Sequence, residues 1–396
     1  MKRIVQIFLL LACVTIIVIL PQPFPAHLLK ADFQIYWAAS YLLAQGENFS
    51  DPSNLLAVQQ QLSGWDDTDN VLVTWNPPWF LVWLIPFTYI EFDRASWFWF
   101  LINLSLLFTS TTLFWLLCSQ SPQIQRRSWL GISVGILFLP TITTLLVGQI
   151  TTLVLLGLVG FLHFRKHQSF LYAGLFLSLT SIKPHLVYII LPIVLLDALI
   201  SRRWRIIIGF TLPILIGTLI AFLLRPTFLG EYILLMKSGR VLTYSPPTLS
   251  SMISLWLGWP WFKLVSVLMI LGSSLGWWFY WRSKDLDLVN VVSITLLVSV
   301  ITAPYGWSFD VVILLIPLIQ CFIWILEKHI PRKVKVIVCL VYILANGGVL
   351  YQRTLGVGEE AYFWFPLVLA ALYVFCWRFR ITSESEAEPH SSNFLV

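Results

Sequence analysis

The chain has 396 residues, of which 58% are apolar and 11% charged, and its formal net charge is +6. A soluble domain carries about 25% charged residues, so a water-soluble enzyme is excluded. Repeated apolar runs of about 20 residues mark an all-α polytopic membrane protein instead. The basic residues are spread over short loops, which excludes a nucleic-acid surface, and no cysteine pair has metal-ligand spacing, so neither a disulfide framework nor a metal site is expected.

In chain order, Lys2 and Arg3 precede an apolar run at 4–20 that resembles a signal peptide. The following PQPFPA offers no small-x-small cleavage site, so the run is read as an uncleaved anchor. Residues 21–46 contain Asp32, followed at once by Phe33, Tyr36, Trp37, Ser40, Tyr41 and Ala44 at helical spacing, with Gly46 as a C-terminal stop. A helix there is expected to lie in the membrane interface with its rings among the headgroups, which would hold Asp32 near the level of lipid phosphates. An aspartate in that place can serve as a catalytic base or cap its helix, and the two roles can coexist.

Apolar runs predict spans at 4–20, 95–118, 129–147, 150–164, 170–183, 185–200, 205–224, 260–281, 287–303, 309–327, 334–350 and 361–378. The run at 77–90, with Pro77, Pro78 and Pro86, is the ambiguous one. If it does not cross and Met1 is cytoplasmic, 17 of the 25 basic residues fall on the inside. Counting it as a crossing would put every later basic loop outside, against the positive-inside rule. So 77–90 is expected to be a second interfacial or re-entrant helix, and both termini are expected in the cytoplasm. A single membrane domain is expected over 1–381, with outer loops at 21–94 and 225–259 forming the active-site face and a disordered cytoplasmic tail at 382–396.

Polar residues gather on the expected outer face. Lys183–Pro184–His185 breaks an apolar run with an ammonium and an imidazole, both natural partners for phosphate; the alternative is a lysine snorkelling at a helix end. Arg240 lies in the second outer loop with Lys237, Tyr244 and Ser245, as a phosphate ligand or as a solvated charge. The stretch Ala303–Asp310 breaks between two spans and puts Asp310 at a helix start, where a carboxylate is favourable by itself. Gln149, after Gly148, could hydrogen-bond a sugar or satisfy freed backbone groups. Asp66, Asp67 and Asp69 could hold a hard cation or form a solvated loop.

An outer-face acid beside basic groups, within a membrane, points to an enzyme acting on a lipid phosphate. No nucleotide-sugar pool exists outside the cell, so an activated sugar would arrive there on a polyprenyl phosphate. An aspartate would take the proton from an acceptor hydroxyl as it attacks the anomeric carbon, and cations would stabilise the leaving phosphate. Single displacement inverts the anomeric centre. A transporter or flippase of a lipid-linked sugar is the alternative; that class usually shows internal repeats, and none is apparent.

The chain resembles glycosyltransferase family 87, of the GT-C superfamily, whose members include polyprenol-phosphate-mannose-dependent mannosyltransferases. The resemblance rests on Asp32–Phe–Gln–Ile–Tyr36–Trp37–Ala–Ala with Gly46, on Asn76–Pro77–Pro78 with Pro86, and on Gly148–Gln149. It continues through Ala173–Gly174, Lys183–Pro184, Arg202–Arg203–Trp204 and Pro304–Tyr305–Gly–Trp307–Ser–Phe–Asp310. It implies a GT-C fold with about twelve transmembrane helices and interfacial helices in the first outer loop. It also implies a polyprenyl-phosphate sugar donor and Asp32 as base. Some actinobacterial members carry paired histidines where this chain has Phe309 and Asp310, so donor phosphate is expected to fall to Lys183, His185 or Arg240. Tyr36, Gln149, Tyr305 and Asp310 are expected to bind substrate. The expected reaction moves a hexose, mannose by the resemblance, to a lipid or glycan acceptor on the periplasmic side of the inner (plasma) membrane. Its partners would be membrane lipids and no nucleic acid, and no cofactor beyond the donor itself is expected.

Overall fold

The structure is a computed structural model. It describes residues 30–63, 71–237, 245–257, 287–327 and 330–387, with isolated positions between 267 and 278. Every regular element among the described residues is helical. They group into two compact units: the described residues within 1–107, 140–184 and 191–245 form the first, and those within 108–139, 185–190 and 246–396 the second.

The first unit is built around the Ala31–Ala44 helix. Its sequence, ADFQIYWAASYLLA, is apolar on every side, and a helix of that kind is stable only when surrounded. Phe33, Tyr36, Trp37, Leu42 and Leu43 are all buried. This corrects the expectation of rings among headgroups: they pack within protein. Trp37 Nε1 donates to Phe87 O at 3.0 Å, and Ser40 Oγ donates to Leu81 O at 3.0 Å. Both acceptors lie on Pro78–Thr88, an apolar helix broken by a 3-10 turn at Val82–Leu84. Its eleven residues reach ~16 Å, about half a hydrocarbon core.

The central helix ends in a left-handed residue, Gly46, with φ +72°. Gly46 N–H donates to Leu43 O at 3.0 Å and Glu47 N–H to Leu42 O at 2.9 Å, the paired bonds of a Schellman stop. Arg225 Nη1 donates to Gly46 O at 2.7 Å, while its Nε and Nη2 grip Glu231. Arg225 and Thr227 hold the Glu231 carboxyl below its ordinary pKa against the opposing effect of burial. A depressed carboxyl stabilises the fold above its unfolded pKa, and that stability is lost as pH falls through the lower folded value. The thermal midpoint should therefore fall on acidification below about pH 4, and the fall should be smaller in Glu231→Gln. An equal fall in both proteins would show that this ion pair does not anchor the helix end.

Among the described residues, five helices are long and apolar enough to cross a membrane: Phe92–Cys118, Trp204–Leu224, Ser308–Leu326, Arg332–Thr354 and Glu359–Arg380. They coincide with five of the twelve expected spans. The expected span at 4–20 lies outside the described residues, as does most of 260–281. Phe170–Ile182, Ile190–Ile200 and Leu288–Thr302 are shorter apolar helices, and 150–164 becomes the 16-residue helix Thr151–Lys166. The run at 129–147 is two helices, Trp129–Ile136 and Leu139–Val147, bent by 70°. Pro140 explains the break: its ring clashes with the carbonyl four residues back, on Ile136, where the first helix stops. Leu139 N–H is satisfied at the bend by Asn346 Oδ1 at 2.7 Å.

Candidate active site

In the first unit, three residues expected from the sequence come together. Lys30 starts the central helix with φ 67°, its N–H donating to Leu146 O at 2.9 Å. That left-handed residue turns the chain so that Asp32 enters the first helical turn, where the helix dipole favours an anion. Asp32 is half-buried. Its Oδ2 accepts from Gln149 Nε2 at 2.9 Å. Gln149 is buried, and its Oε1 accepts from Ile150 N–H at 2.8 Å and from Tyr36 OH at 2.5 Å. A backbone N–H can only donate, so the amide oxygen faces Ile150 and the amide nitrogen must face Asp32. Gln149 therefore does what the sequence allowed, satisfying a backbone group, and also orients the carboxylate.

Gly148 makes this approach possible. Its φ is +73°, and a Cβ there would lie 2.7 Å from Phe33 Cβ. Trp99 was not singled out from the sequence, where it read as one more ring of an aromatic run. It stacks on Phe33 at 5.4 Å and donates from Nε1 to Gly148 O at 2.7 Å. Gly148→Ala should cost about 2–4 kcal/mol, from left-handed strain and overpacking together. The readout is the thermal midpoint in detergent, where a change within error would contradict this close packing.

Beside the central helix runs an apolar cavity of about 470 Å³, with Trp79, Phe80, Phe87, Trp99, Leu179 and Pro213 among its walls. Phe87 and Trp99 pack against Phe33, and Phe80 meets Tyr36 edge-on at 6.3 Å. The cavity wall and the helix that carries Asp32 thus share one aromatic cluster. Ile182 also lines the cavity, and its carbonyl accepts from Asn76 Nδ2 at 3.3 Å. Lys183 follows it directly and is buried. Burying an ammonium is costly unless anions or acceptors surround it, which corrects the picture of a lysine snorkelling to the surface.

The other expected residues lie in the second unit. The His185 ring packs on Tyr305, centroids 3.9 Å apart. Asp310 is buried, and its Oδ2 accepts from Trp307 N–H at 3.1 Å, closing the turn before the Ser308–Leu314 3-10 helix. The same turn is clamped by a pair the sequence gave no reason to connect. Glu359 accepts from Ser308 N–H at 3.0 Å and pairs with Arg353 at 3.0 Å, and Arg353 also bonds the Ser308 hydroxyl and covers the Tyr362 ring. Arg240 lies outside the described residues, as do Asp66, Asp67 and Asp69.

These observations define a helical protein with several apolar, membrane-length helices and a hydrogen-bonded carboxylate on a helix whose aromatic cluster also walls an apolar cavity. The family model of glycosyltransferase family 87 matches residues 74–304, more than half of the chain, and the chain belongs to that family. It is accordingly a glycosyltransferase. The matched stretch includes Gln149, Lys183 and His185 but not Asp32 or Tyr36. No curated protein and no solved structure matches the chain.

Proposed function

We propose that this chain transfers a hexose, with mannose the first candidate, from a polyprenyl-phosphate donor to the hydroxyl of a lipid or glycan acceptor, with inversion. The observation that carries the proposal is the Tyr36–Gln149–Asp32 chain of hydrogen bonds, with Tyr36 and Asp32 on a helix whose aromatic cluster also walls the apolar cavity. Two hydrogen bonds fix the Gln149 oxygen, so its amide holds one carboxylate oxygen of Asp32, the proposed base for the acceptor hydroxyl. In the step, the acceptor O–H bond breaks and its proton passes to Asp32. The acceptor oxygen bonds to the anomeric carbon, and the bond from that carbon to the phosphate oxygen breaks, its electron pair remaining on the phosphate. Lys183, His185 and Arg240 are the proposed cations for that phosphate, and Tyr36, Gln149, Tyr305 and Asp310 the proposed substrate contacts. The donor's isoprenoid chain would occupy the cavity, whose lining suits a hydrocarbon.

The reading includes a GT-C fold with about twelve crossings, cytoplasmic termini and chemistry on the outer side of the cell's inner membrane. Outward placement of an enzyme using lipid-linked sugar follows from where such donors are the available activated form. The test is transfer from radiolabelled polyprenyl-phosphate mannose, with glucose and arabinose analogues in parallel, to lipid extract of the host. A labelled product from purified protein is expected with one donor. No product with any donor, from folded protein and verified acceptor lipid, would overturn the reading, and a flipping assay would then test transport.

A further inference from the structure

Between the Leu288–Thr302 helix and the Ser308–Leu314 3-10 helix, residues 303–307 form a non-helical link that carries Tyr305. Ala303 and Trp307 are extended, with ψ 145° and 163°. A link of this kind has no helical ladder to set its course, so its place depends on the two ends that hold it. At the first end, Thr302 Oγ1 donates to Val298 O at 2.6 Å within its own helix, and it therefore accepts from the Tyr188 hydroxyl. His185, from the same short stretch as Tyr188, lays its ring on Tyr305 with centroids 3.9 Å apart.

The second end is Ser308, which is buried. Both of its polar groups turn to one ion pair. Its N–H donates to Glu359 Oε2 at 3.0 Å, and its hydroxyl accepts from Arg353 Nη2. Arg353 Nη1 and Glu359 Oε1 close the ring of contacts at 3.0 Å. A residue held at both its backbone nitrogen and its side-chain oxygen is fixed in rotation as well as in place. Asp310 follows it, because Asp310 Oδ2 accepts from Trp307 N–H at 3.1 Å and Asp310 N–H donates to Trp307 O at 2.9 Å.

The ion pair is more than the hairpin that carries it requires. Arg353 lies in the last turn of the Arg332–Thr354 helix, and Glu359 opens the Glu359–Tyr362 turn. Their connection is fastened by other groups. Gly356, left-handed with φ 63°, donates its N–H to Arg353 O at 3.1 Å. Gln352 Nε2 donates to Ala361 O at 3.1 Å, and Gln352 Oε1 accepts from Trp364 Nε1 at 2.8 Å. The paired side chains are only 18% and 22% exposed. Desolvating two charges that far carries a cost their attraction does not always exceed, so a pair the hairpin can close without calls for another role.

We propose that Arg353 and Glu359 are positioning residues, which set the Ser308 turn and through it hold Tyr305, Asp310 and the His185 ring in place for the donor. The proposal rests on the reading of those three residues given above as donor and substrate contacts. Its consequence is a donor-affinity effect from two residues that need not touch the donor.

The experiment measures KM and kcat for whichever polyprenyl-phosphate sugar the full-length wild-type protein uses, in detergent at fixed acceptor. Glu359→Ala removes the bond to Ser308 N–H and the ion pair together. Donor KM should rise about 10–100-fold, with kcat per folded molecule little changed. A clamp that only stabilised the fold would lower the folded fraction, and so the apparent kcat, while KM stayed fixed. Glu359→Gln keeps an oxygen for Ser308 N–H and should fall between wild type and Glu359→Ala; it is the variant to measure if Glu359→Ala does not fold. In a Tyr305→Ala background the effect of Glu359→Ala should shrink several-fold, because the ring it places is gone. Unchanged donor KM in the folded Glu359 variants, or an equal effect with and without the Tyr305 ring, would overturn the proposal and leave the transfer reading standing. An unchanged donor KM in Tyr305→Ala would overturn the assignment of Tyr305 and with it what the clamp positions. No transfer by wild-type protein with any donor would overturn the transfer reading itself, and the positioning role with it.

Discussion

Asp32→Asn is expected to lower transfer by about 10²–10⁴-fold, the range for removing a general base. The substitution is the sharpest available because it keeps shape and loses only basicity. The asparagine oxygen can still accept from Gln149 Nε2, so the 2.9 Å contact and the helix start survive. The loss should fall on kcat, with donor KM little changed, since the proton moves only as the acceptor attacks. Asp32→Glu gives a second measure. It keeps the carboxylate but displaces it by about one bond length, and misplacement of ~1 Å can cost about 10²-fold. Near-normal turnover by folded Asp32→Asn protein would remove Asp32 from the mechanism, and the search for a base would move to Asp310 in the second unit.

How much of this arrangement could be read from the sequence follows from which forces act locally. The helix that Asp32 opens was legible because an acid followed by an unbroken apolar helical pattern is conspicuous without any partner. Gly46 was legible because a Schellman stop is made within six residues. The Gln149 contact was only half legible: a glutamine after a glycine in an apolar run needs a partner, but the partners lie 113 and 117 positions away in the chain. Burial of the central helix was misjudged for a definite reason. Rings at helical spacing suit an interface and a protein interior equally, and only the apolar character of the remaining faces distinguishes them. The bend within the run at 129–147 was not legible. Hydropathy integrates side chains and is blind to the backbone break that Pro140 imposes on 129–147. The Arg353–Glu359 clamp on the Ser308 turn left no local trace at all, since each charge looked like an ordinary loop residue.

The second large effect is expected at Gln149, and its pH dependence separates an orienting role from a merely structural one. In Gln149→Leu the carboxylate loses a donor that favours its charged form, so its pKa rises. The acid limb of kcat/KM should then move to higher pH, because the base is protonated over a wider range. A hydrogen bond to a charged group is worth about 1.5–3 kcal/mol, which corresponds to roughly a 10–100-fold loss of kcat/KM if it is made fully in the transition state. Gln149→Glu should move the limb further in the same direction. It places a second carboxyl within hydrogen-bond distance of the first, and the two would share a proton and titrate as a pair. Tyr36→Phe removes only the hydroxyl that fixes the Gln149 oxygen and leaves the ring against Phe80. Its effect should be the smallest of the three, a few-fold in kcat with little movement of the limb. That order, Glu beyond Leu beyond Phe, follows from the donor geometry alone. All three variants also disturb bonds that hold the fold, so thermal midpoints will fall by amounts that need not follow the order. If rates scale with the folded fraction and the acid limb stays fixed in every variant, Gln149 holds the backbone at Ile150 and nothing more. If the limb climbs as ordered while folded protein remains, the amide tunes the base.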